Sequence, residues 1–225
     1  MAQRHLKGIA MAGTTITIAQ QKGGSGKTTL TAHMAAAALL SKKGVSVALL
    51  DIDPQGSLGE WFETREQLLG EEAAGFSFRT ASGWGARREA RAMARDHDYV
   101  FADTPPKSDR ESQPAIEAAN LVLVPMQPSP VDLWATQLTL DLAEKERVPA
   151  LVVLNRVPPR AKLTGEVLEG LKKYGPVIAK SMLGNRTGYA AAMGQGSTVV
   201  ETSGHKLASE EVQTLFKEVL KQLKK

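Results

Sequence analysis

The segment at residues 20–29, Gln-Gln-Lys-Gly-Gly-Ser-Gly-Lys-Thr-Thr, constrains this chain more than any other. It follows a short β-branched run at 14–19 and precedes a helix-forming run from about 28 to 43. Glycines let the backbone turn its N–H groups inward, and the N-terminus of the following helix adds a positive dipole. A strand, a glycine-rich turn and a helix in this order predict a loop that cradles phosphate groups.

The polar side chains of this loop suit phosphate binding. Lys27 can reach the β- and γ-phosphates of a nucleotide, and the Thr28 hydroxyl is a ligand for Mg²⁺. The loop departs from the ordinary pattern G-x-x-x-x-G-K-[ST], because Gln21 replaces the first glycine and Lys22 adds a cation. The candidate nucleotide-binding residues of the loop are Lys22, Gly23, Gly24, Ser25, Gly26, Lys27, Thr28 and Thr29.

Strand-like and helical runs alternate along the rest of the chain. Helices are predicted at 28–43, 87–95, 131–147, 163–174 and 210–223, with a short one ending at 116–119. Apolar runs predict strands at 14–19, 45–52, 99–102, 121–124, 150–154 and 177–182. This order predicts a single-domain α/β P-loop fold, with a mostly parallel twisted sheet and helices on both faces. We assign residues 14–225 to this domain and residues 1–13 to an N-terminal extension that we expect to be flexible.

Three carboxylates follow two of the predicted strands. Asp51 and Asp53 close the run at 45–52, and Asp103 closes the run at 99–102. Alternate residues of a strand point to the same side, and ligands of parallel sheets bind at the carboxyl ends of the strands. We therefore expect these carboxylates to lie at the phosphate loop.

Composition excludes several classes of protein. The chain has 225 residues and no cysteine, which excludes a disulfide scaffold, a cysteine-ligated metal site and a cysteine nucleophile. Its apolar runs are too short to cross a bilayer, and we expect a cytoplasmic protein. The chain has 28 Lys and Arg against 24 Asp and Glu, with the excess in the C-terminal third. Such a region attracts a phosphate backbone or an anionic membrane, although a solvated helix face has the same pattern.

The departures within the loop form a pattern of their own. Lys-Gly-Gly-x-Gly-Lys-Thr-Thr at 22–29 resembles the deviant Walker A loop of the ParA/MinD superfamily, and the preceding Gln-Gln is more similar to ParA than to MinD. The resemblance continues in D-x-D-P-Q-G at 51–56, D-T-P-P at 103–106, V-P-x-x-P-S-P at 124–130 and a block at 185–201. It therefore covers roughly residues 14–220.

This resemblance implies a role for each matched residue. Two subunits would sandwich two ATP molecules, with Lys22 crossing to the partner's nucleotide and Asp53 positioning the attacking water as the candidate catalytic residues. Asn155, at the end of the strand at 150–154, would read the adenine edge. The loop at 107–113 would be a switch that senses the γ-phosphate, and the segment at 124–130 would lie at the subunit contact. The Mg²⁺ site would be formed by Thr28, Asp51 and Asp103.

The function implied by the resemblance is that of a Mg-ATP-dependent, dimerising ATPase with weak activity of its own. A cargo-bound partner protein with ParB-like activity would stimulate hydrolysis. The ATP homodimer would bind DNA without sequence preference at the nucleoid, and would position or segregate a plasmid, a chromosome or a protein cluster. The candidate DNA-binding residues are Lys172, Lys173, Arg186, Lys217 and Lys221.

Two other functions stay open at this point. A MinD-like ATPase would cycle on and off a membrane through the amphipathic helix at 210–223, although an apolar stripe is also typical of core packing, and we expect no membrane contact. A biosynthetic ligase or a small-molecule kinase would share the phosphate loop. Iron–sulfur or zinc-bridged relatives are excluded, because they need cysteines that this chain lacks.

Overall fold

The computed structural model describes residues 12–70, 75–106, 109–159, 162–173, 175 and 177–225. Most of the predicted N-terminal extension, and residues 107–108 of the candidate switch, lie outside this part of the chain. The described residues form seven strands, β1 (Thr14–Ile18), β2 (Val47–Asp51), β3 (Ser77–Thr80), β4 (Tyr99–Asp103), β5 (Leu121–Met126), β6 (Ala150–Leu154) and β7 (Val177–Ile178).

Within the same described residues, eight helices connect or follow these strands. They are α1 (Lys27–Ser41), α2 (Ser57–Leu69), α3 (Gly83–Met93), α4 (Asp109–Glu117), α5 (Pro130–Lys145), α6 (Lys162–Lys172), α7 (Thr187–Met193) and α8 (Lys206–Gln222).

The strands form one sheet in the order β3-β2-β4-β1-β5-β6-β7, and all of its pairs are parallel. β1 lies between β4 and β5. In the register of the sheet, Asp103 is opposite both Ile18 of β1 and Asp51 of β2. The carboxyl ends of β1, β2 and β4 therefore meet at one edge, and the predicted single-domain α/β fold is confirmed.

Apolar residues cover both faces of the sheet. Leu121 and Leu123 of β5 pack in the cluster that contains α1 and α8, whereas Val122 and Val124 pack with α5 and α6. A third cluster holds α3 against β2 and β4. Burial on both sides explains why these strands read as continuous apolar runs with little polar alternation.

The predicted helix at 210–223 is part of α8, which begins at Lys206. Its apolar residues Val212, Leu215, Phe216 and Val219 are buried in the core cluster that also contains α1. Core packing is therefore the observed use of this apolar stripe. Within the described residues, no helix is both long enough and apolar enough to cross a membrane.

Three elements were not predicted, one strand is shorter than predicted, and residues 109–113 of the predicted switch loop belong to α4. The unpredicted elements are α2, β3 and α7. Acidic residues interrupt the apolar pattern of α2, and neither β3 nor α7 has a long apolar run. The strand predicted at 177–182 ends at Ile178. The backbone N–H groups of Lys180 and Ser181 donate to the Glu218 carboxylate of α8, at 2.8 and 2.9 Å, instead of continuing the sheet.

Candidate nucleotide-binding site

The phosphate loop joins the carboxyl end of β1 to α1, as predicted. Gly26, the residue before α1, has a φ of 89°, and a Cβ placed on it would lie 2.4 Å from Nδ2 of Asn155. Only glycine combines this backbone angle with so close an approach. The loop and the end of β6, where Asn155 lies, are therefore in direct contact.

Asn155 supports the loop through its side chain. Its Nδ2 donates to the Ser25 carbonyl at 2.8 Å, and its Oδ1 accepts from the Arg156 N–H at 2.9 Å. Arg156 has a φ of 52°, which is uncommon for a residue with a side chain. Asn155, which was predicted to contact the adenine edge, thus holds the loop and the turn after β6. One N–H and one lone pair of its carboxamide have no partner among the described residues and could bind a ligand.

A cavity of about 340 Å³ opens beside Asn155. Residues from the loop side and the C-terminal block line it together, among them Thr29, Asn155, Arg156, Asn185 and Arg186. Amide and guanidinium groups of this kind can hydrogen-bond the edge of a base, and guanidinium groups also stack on aromatic rings. The cavity therefore suits the nucleoside part of a nucleotide that has its phosphates in the loop.

Lys27, Thr28 and Asp103 form the polar centre of the site. Lys27 is buried, and its burial lowers the pKa of its ammonium group from the usual value. The Thr28 hydroxyl donates to Oδ2 of Asp103 at 2.5 Å. Burial raises the pKa of Asp103 to about 7, although the Thr28 hydrogen bond opposes the rise. A cation brought to this carboxylate would restore its ionised form.

The donor atoms of this centre fit Mg²⁺ bound together with a nucleotide. Oδ1 of Asp103 and Oγ of Ser25 are buried and have no hydrogen-bond partner among the described residues. Mg²⁺ prefers oxygen ligands and usually binds through one or two carboxylates together with substrate phosphates. The part of the chain that the structure describes has no cluster of three acidic or imidazole groups that would hold a metal by itself. Thr28 and Asp103 therefore fit a metal that arrives with phosphate oxygens.

The structure brings Asp51 and Asp53 to the same edge but gives them different surroundings. Asp51 is buried, and its carboxylate oxygens accept from the backbone N–H groups of Asp53 at 3.1 Å and Gly59 at 3.0 Å. Burial raises the pKa of Asp51. Asp53 is only partly buried, and its Oδ1 accepts from the Gln55 N–H at 3.0 Å. Asp51 thus orients the turn, whereas Asp53 has a carboxylate oxygen available for a water molecule.

Lys22 contacts a residue that the sequence analysis missed. Its Nζ pairs with Oδ2 of Asp132, a fully buried residue in the first turn of α5. Asp132 also accepts from the Ser129 hydroxyl at 2.5 Å and the Gln127 N–H at 3.2 Å. The signal available in the sequence was a capping pattern, because Ser129 precedes α5 and an acidic residue follows three positions later. That pattern predicts a helix start but not the lysine.

A comparison with protein-family models agrees with this geometry. The model described as the CobQ/CobB/MinD/ParA nucleotide binding domain matches residues 16–199, which include the phosphate loop, Asp53, Asp103 and Asn155. The chain belongs to this family.

Relatives of this ParA/MinD-type domain include two curated proteins with similar lengths. The chain is 29% identical over 214 residues to the maintenance of carboxysome distribution protein A of Halothiobacillus neapolitanus, with 92% of this chain and 96% of the relative covered. It is 31% identical over 185 residues to the protein ParA of Rhizobium radiobacter, with 78% and 80% covered. Among solved structures, the ATP complex of a Cyanothece McdA variant has the same fold, with a TM-score of 0.76, 20% identity and coverage of 93% and 97%.

The candidate DNA-binding residues of this ParA/MinD-type domain lie on three elements. Lys217 and Lys221 are exposed and share one face of α8, and Lys173 is exposed after α6. Lys172 pairs with Glu169 of its own helix at 2.6 Å. Arg186 donates to Oε1 of Glu211 through Nε at 3.0 Å and Nη2 at 2.6 Å. Lys173, Lys217 and Lys221 are therefore the candidates that are exposed and in no ion pair with another described residue.

Glu211 connects Arg186 to the core. It also accepts from the Gly184 N–H at 3.1 Å and the Tyr189 hydroxyl at 2.9 Å. Burial opposes its ionisation, but these hydrogen bonds outweigh burial, and the pKa of Glu211 falls below its usual value. Arg186 is thus bound within the fold as well as exposed to solvent, so a change at this position would also disturb the contact between α7 and α8.

Proposed function

We propose that this chain is a Mg-ATP-dependent ATPase that dimerises with ATP, binds DNA without sequence preference and positions or segregates a cargo. The observation that carries the proposal is the arrangement of Lys27, Thr28 and Asp103 at one phosphate loop, with a second lysine, Lys22, held beside it. One lysine suffices to bind a nucleotide, so the second cation points to a further role in the reaction.

The binding step uses the loop and its two buried polar residues. The backbone N–H groups of residues 23–28 and the ammonium group of Lys27 hold the phosphates. Thr28 and Asp103 would hold Mg²⁺, which supplies positive charge that screens the phosphate oxygens. The buried site excludes water from these charges, so each of them acts more strongly than it would in solvent.

The hydrolysis step uses Asp53 and Lys22. Asp53 accepts a hydrogen bond from the attacking water and orients it, while Asp51 fixes the turn that carries Asp53. Lys22 leaves Asp132 when a second subunit arrives, and its ammonium group stabilises the charge that develops between the β- and γ-phosphates of the partner's nucleotide. A single subunit therefore hydrolyses ATP slowly, and a cargo-bound partner protein with ParB-like activity completes the activation.

The names of two relatives support a positioning or partition role. One relative is a maintenance of carboxysome distribution protein and another is a protein ParA, so both a protein assembly and a plasmid or chromosome remain candidate cargoes. The exposed lysines of α8, Lys217 and Lys221, provide cations for a DNA phosphate backbone at the nucleoid in the cytoplasm. The MinD-like alternative would need the apolar side of α8 to be free for lipid, and this side is buried in the core.

The experiment compares two surfaces. The wild-type protein, with Mg²⁺ and the non-hydrolysable analogue AMP-PNP, is mixed with random duplex DNA or with vesicles that contain anionic lipid. We expect nucleotide-dependent DNA binding, with a log–log salt slope near about −5 if a dimer neutralises about six phosphates. Binding to vesicles without binding to DNA would favour the MinD-like function.

Charge-reversal variants make the DNA test specific. Lys217→Glu with Lys221→Glu should weaken binding to all duplexes alike and reduce the salt slope. Arg88→Glu with Arg91→Glu is the matched control, since both arginines are exposed on α3, which packs on the opposite face of the sheet from α8. Equal losses in the two variants would assign the effect to net charge instead of to α8.

A further inference from the structure

The outer face of α3 carries a line of exposed side chains, Trp84, Arg88, Arg91 and Arg95, which we call the α3 stripe. Trp84 is 86% exposed, more than any other large apolar side chain that the structure describes. The spacing of four, three and four residues places all four side chains on one side of the helix. Ala94, the cap of α3, keeps helical backbone angles, so Arg95 continues the line beyond the last turn.

The arginines of the α3 stripe are in no ion pair with another described residue. Arg87, which lies beside the stripe, differs from them, because it pairs with Glu117 of α4 at 2.6 Å. Like charges three or four positions apart repel each other on a helix, and the stripe contains two such pairs in succession. Carboxylates supplied from outside the chain would remove this repulsion.

The cations of α3 and α8 are of different kinds. Every cation within α3 is an arginine, whereas every cation within α8 is a lysine. A planar guanidinium group binds a carboxylate through two parallel hydrogen bonds, and protein interfaces are enriched in Arg and Trp but depleted in Lys. The α3 stripe therefore has the composition of a protein-binding surface, and it lies on the face of the sheet opposite α8.

Acidic residues bound the α3 stripe at both ends. Asp96 is exposed and directly follows Arg95. At the other end, a cavity of about 550 Å³ opens beside Gly83. Its acidic lining residues are Asp53, Glu60, Glu63 and Glu111. Because the cations extend over only about 10 Å of helix, a long phosphate backbone would pass beyond them and meet these carboxylates, whereas a short acidic segment fits between them.

We infer that the α3 stripe binds a short acidic segment of a partner protein, with a large apolar side chain of that segment against Trp84. The carboxylates of the segment pair with Arg88, Arg91 and Arg95, and its apolar residue covers the indole face. Since α3 and α8 lie on opposite faces of the sheet, this contact leaves the α8 lysines open to DNA. The inference goes beyond the proposed function, because it requires neither nucleotide nor a dimer.

A charge-swap experiment tests the chemistry of the partner. The probe is a short fluorescein-labelled peptide of Glu and Ser with a single Leu, and its binding is followed by fluorescence anisotropy. We expect Arg88→Glu with Arg91→Glu to bind this peptide at least about tenfold more weakly than the wild type. The same variant should bind a peptide with Lys in place of each Glu more tightly than the wild type does, a gain that only a folded protein can show. Lys217→Glu with Lys221→Glu changes the net charge equally and should keep wild-type binding of the Glu peptide.

Variants of Trp84 test the apolar part of the contact. Trp84→Ser should weaken binding of the Glu peptide by about fivefold or more, while Trp84→Phe retains most of it. Trp134→Ser is the matched control, because Trp134 is 65% exposed on α5. If the wild type does not bind the Glu peptide, or if the α3 and α8 double variants lose it equally, the inference is wrong. It is also wrong if the α3 double variant keeps the Glu peptide but loses random duplex DNA or anionic vesicles, since the stripe would then bind one of those surfaces.

Discussion

Asp132 is fully buried in the first turn of α5, and it pairs with the Nζ of Lys22 in the phosphate loop. The side chain of Lys22 is 34% exposed, so solvent reaches this pair from one side. Such a half-open pair exchanges partners more easily than an enclosed one. Only the carboxylate has been removed from water, so the ammonium group can leave without first having to be rehydrated. A nucleotide phosphate carried by another subunit would attract Lys22 more strongly than Asp132 does. The Asp132 carboxylate also accepts hydrogen bonds from Ser129 and Gln127, which compete with Lys22 for its charge.

The two lysines of the loop should respond differently to replacement by alanine. Lys22→Ala is expected to bind ATP within a few-fold of the wild type but to lose dimerisation and turnover, because we propose that its cation acts at the partner's nucleotide. Lys27→Ala is expected to lose ATP affinity itself, because Lys27 is the buried cation of the phosphate loop. Equilibrium titration with a fluorescent ATP analogue and light scattering measure the two effects. An Lys22→Ala protein that still forms the ATP dimer would contradict the role of Lys22 between subunits.

Asp53 and Asp51 make a second contrasting pair. Asp53→Ala should keep Mg-ATP binding and lower turnover by at least about a hundredfold, because the carboxylate that we propose orients the water is lost, whereas the hydrogen bond that it accepts from Gln55 is exposed. Asp51→Ala should instead destabilise the apo fold by about 1–3 kcal/mol, since two backbone N–H groups lose their acceptor. Single-turnover ATP hydrolysis and urea denaturation separate the outcomes. Wild-type turnover in Asp53→Ala would show that another group orients the water.

Much of the site could be predicted because its signals are local. A strand that ends in Asp103, a strand that ends in Asp51 and a glycine-rich loop before α1 are each visible within ten residues of sequence. Their meeting at one edge follows from parallel strands. The prediction of the fold succeeded for the same reason, since buried parallel strands have continuous apolar runs.

The missed parts depend on contacts between distant residues. Nothing near Asp132 in the sequence indicates Lys22, and nothing near Asn155 indicates the Ser25 carbonyl. Likewise, β7 is shorter than its local sequence predicts. Glu218, which lies on α8, accepts hydrogen bonds from two backbone N–H groups that a longer strand would have used in the sheet. Pairings of this kind are set by the assembled fold and have no local pattern.

The phosphate loop should tolerate alanine at one glycine better than at the next. Gly26→Ala is expected to lower the stability of the apo protein by about 2–4 kcal/mol, because its Cβ would meet Nδ2 of Asn155 as well as an unfavourable φ. Gly24→Ala, with a φ of 76° and open space around its Cβ, should cost about 1–2 kcal/mol from backbone strain alone. Urea denaturation without nucleotide measures both. Equal losses would mean that Asn155 moves aside at no cost.

His33 should make the stability of the fold fall in mild acid. It is buried, its Nδ1–H donates to the Thr29 carbonyl at 2.7 Å, and its Nε2 accepts from the Val199 N–H at 3.2 Å. Burial lowers the pKa of His33 to about 4, from 6.5. Between these two values only the unfolded chain takes up the proton, so stability falls as the pH drops from about 6.5 to about 4 and this residue adds no further change below that.

The variant that checks this pH dependence is His33→Gln, whose amide can replace the hydrogen bonds but does not titrate. The loss of unfolding free energy between pH 7 and pH 4.5, measured in urea, should be smaller than in the wild type by about 2–3 kcal/mol. His97→Gln, at a partly buried histidine in the loop between α3 and β4, is the matched control for replacing a histidine by glutamine. An unchanged difference in His33→Gln would mean that carboxylates alone cause the acid sensitivity.

The central position of β1 determines when this molecule can begin to work during its synthesis. Thr14 pairs with Tyr99 and Ile16 pairs with Leu121, so the strand that precedes the phosphate loop has no neighbour in the sheet until β4 has left the ribosome, and no second neighbour until β5 has followed. Asn155, which supports the loop from β6, is made later still. Contacts between residues so distant in sequence form slowly, because the chain loses conformational entropy before the stabilising contacts are made. The loop is therefore translated early, but a nascent chain that stops before residue 155 lacks the side chain that donates to the Ser25 carbonyl.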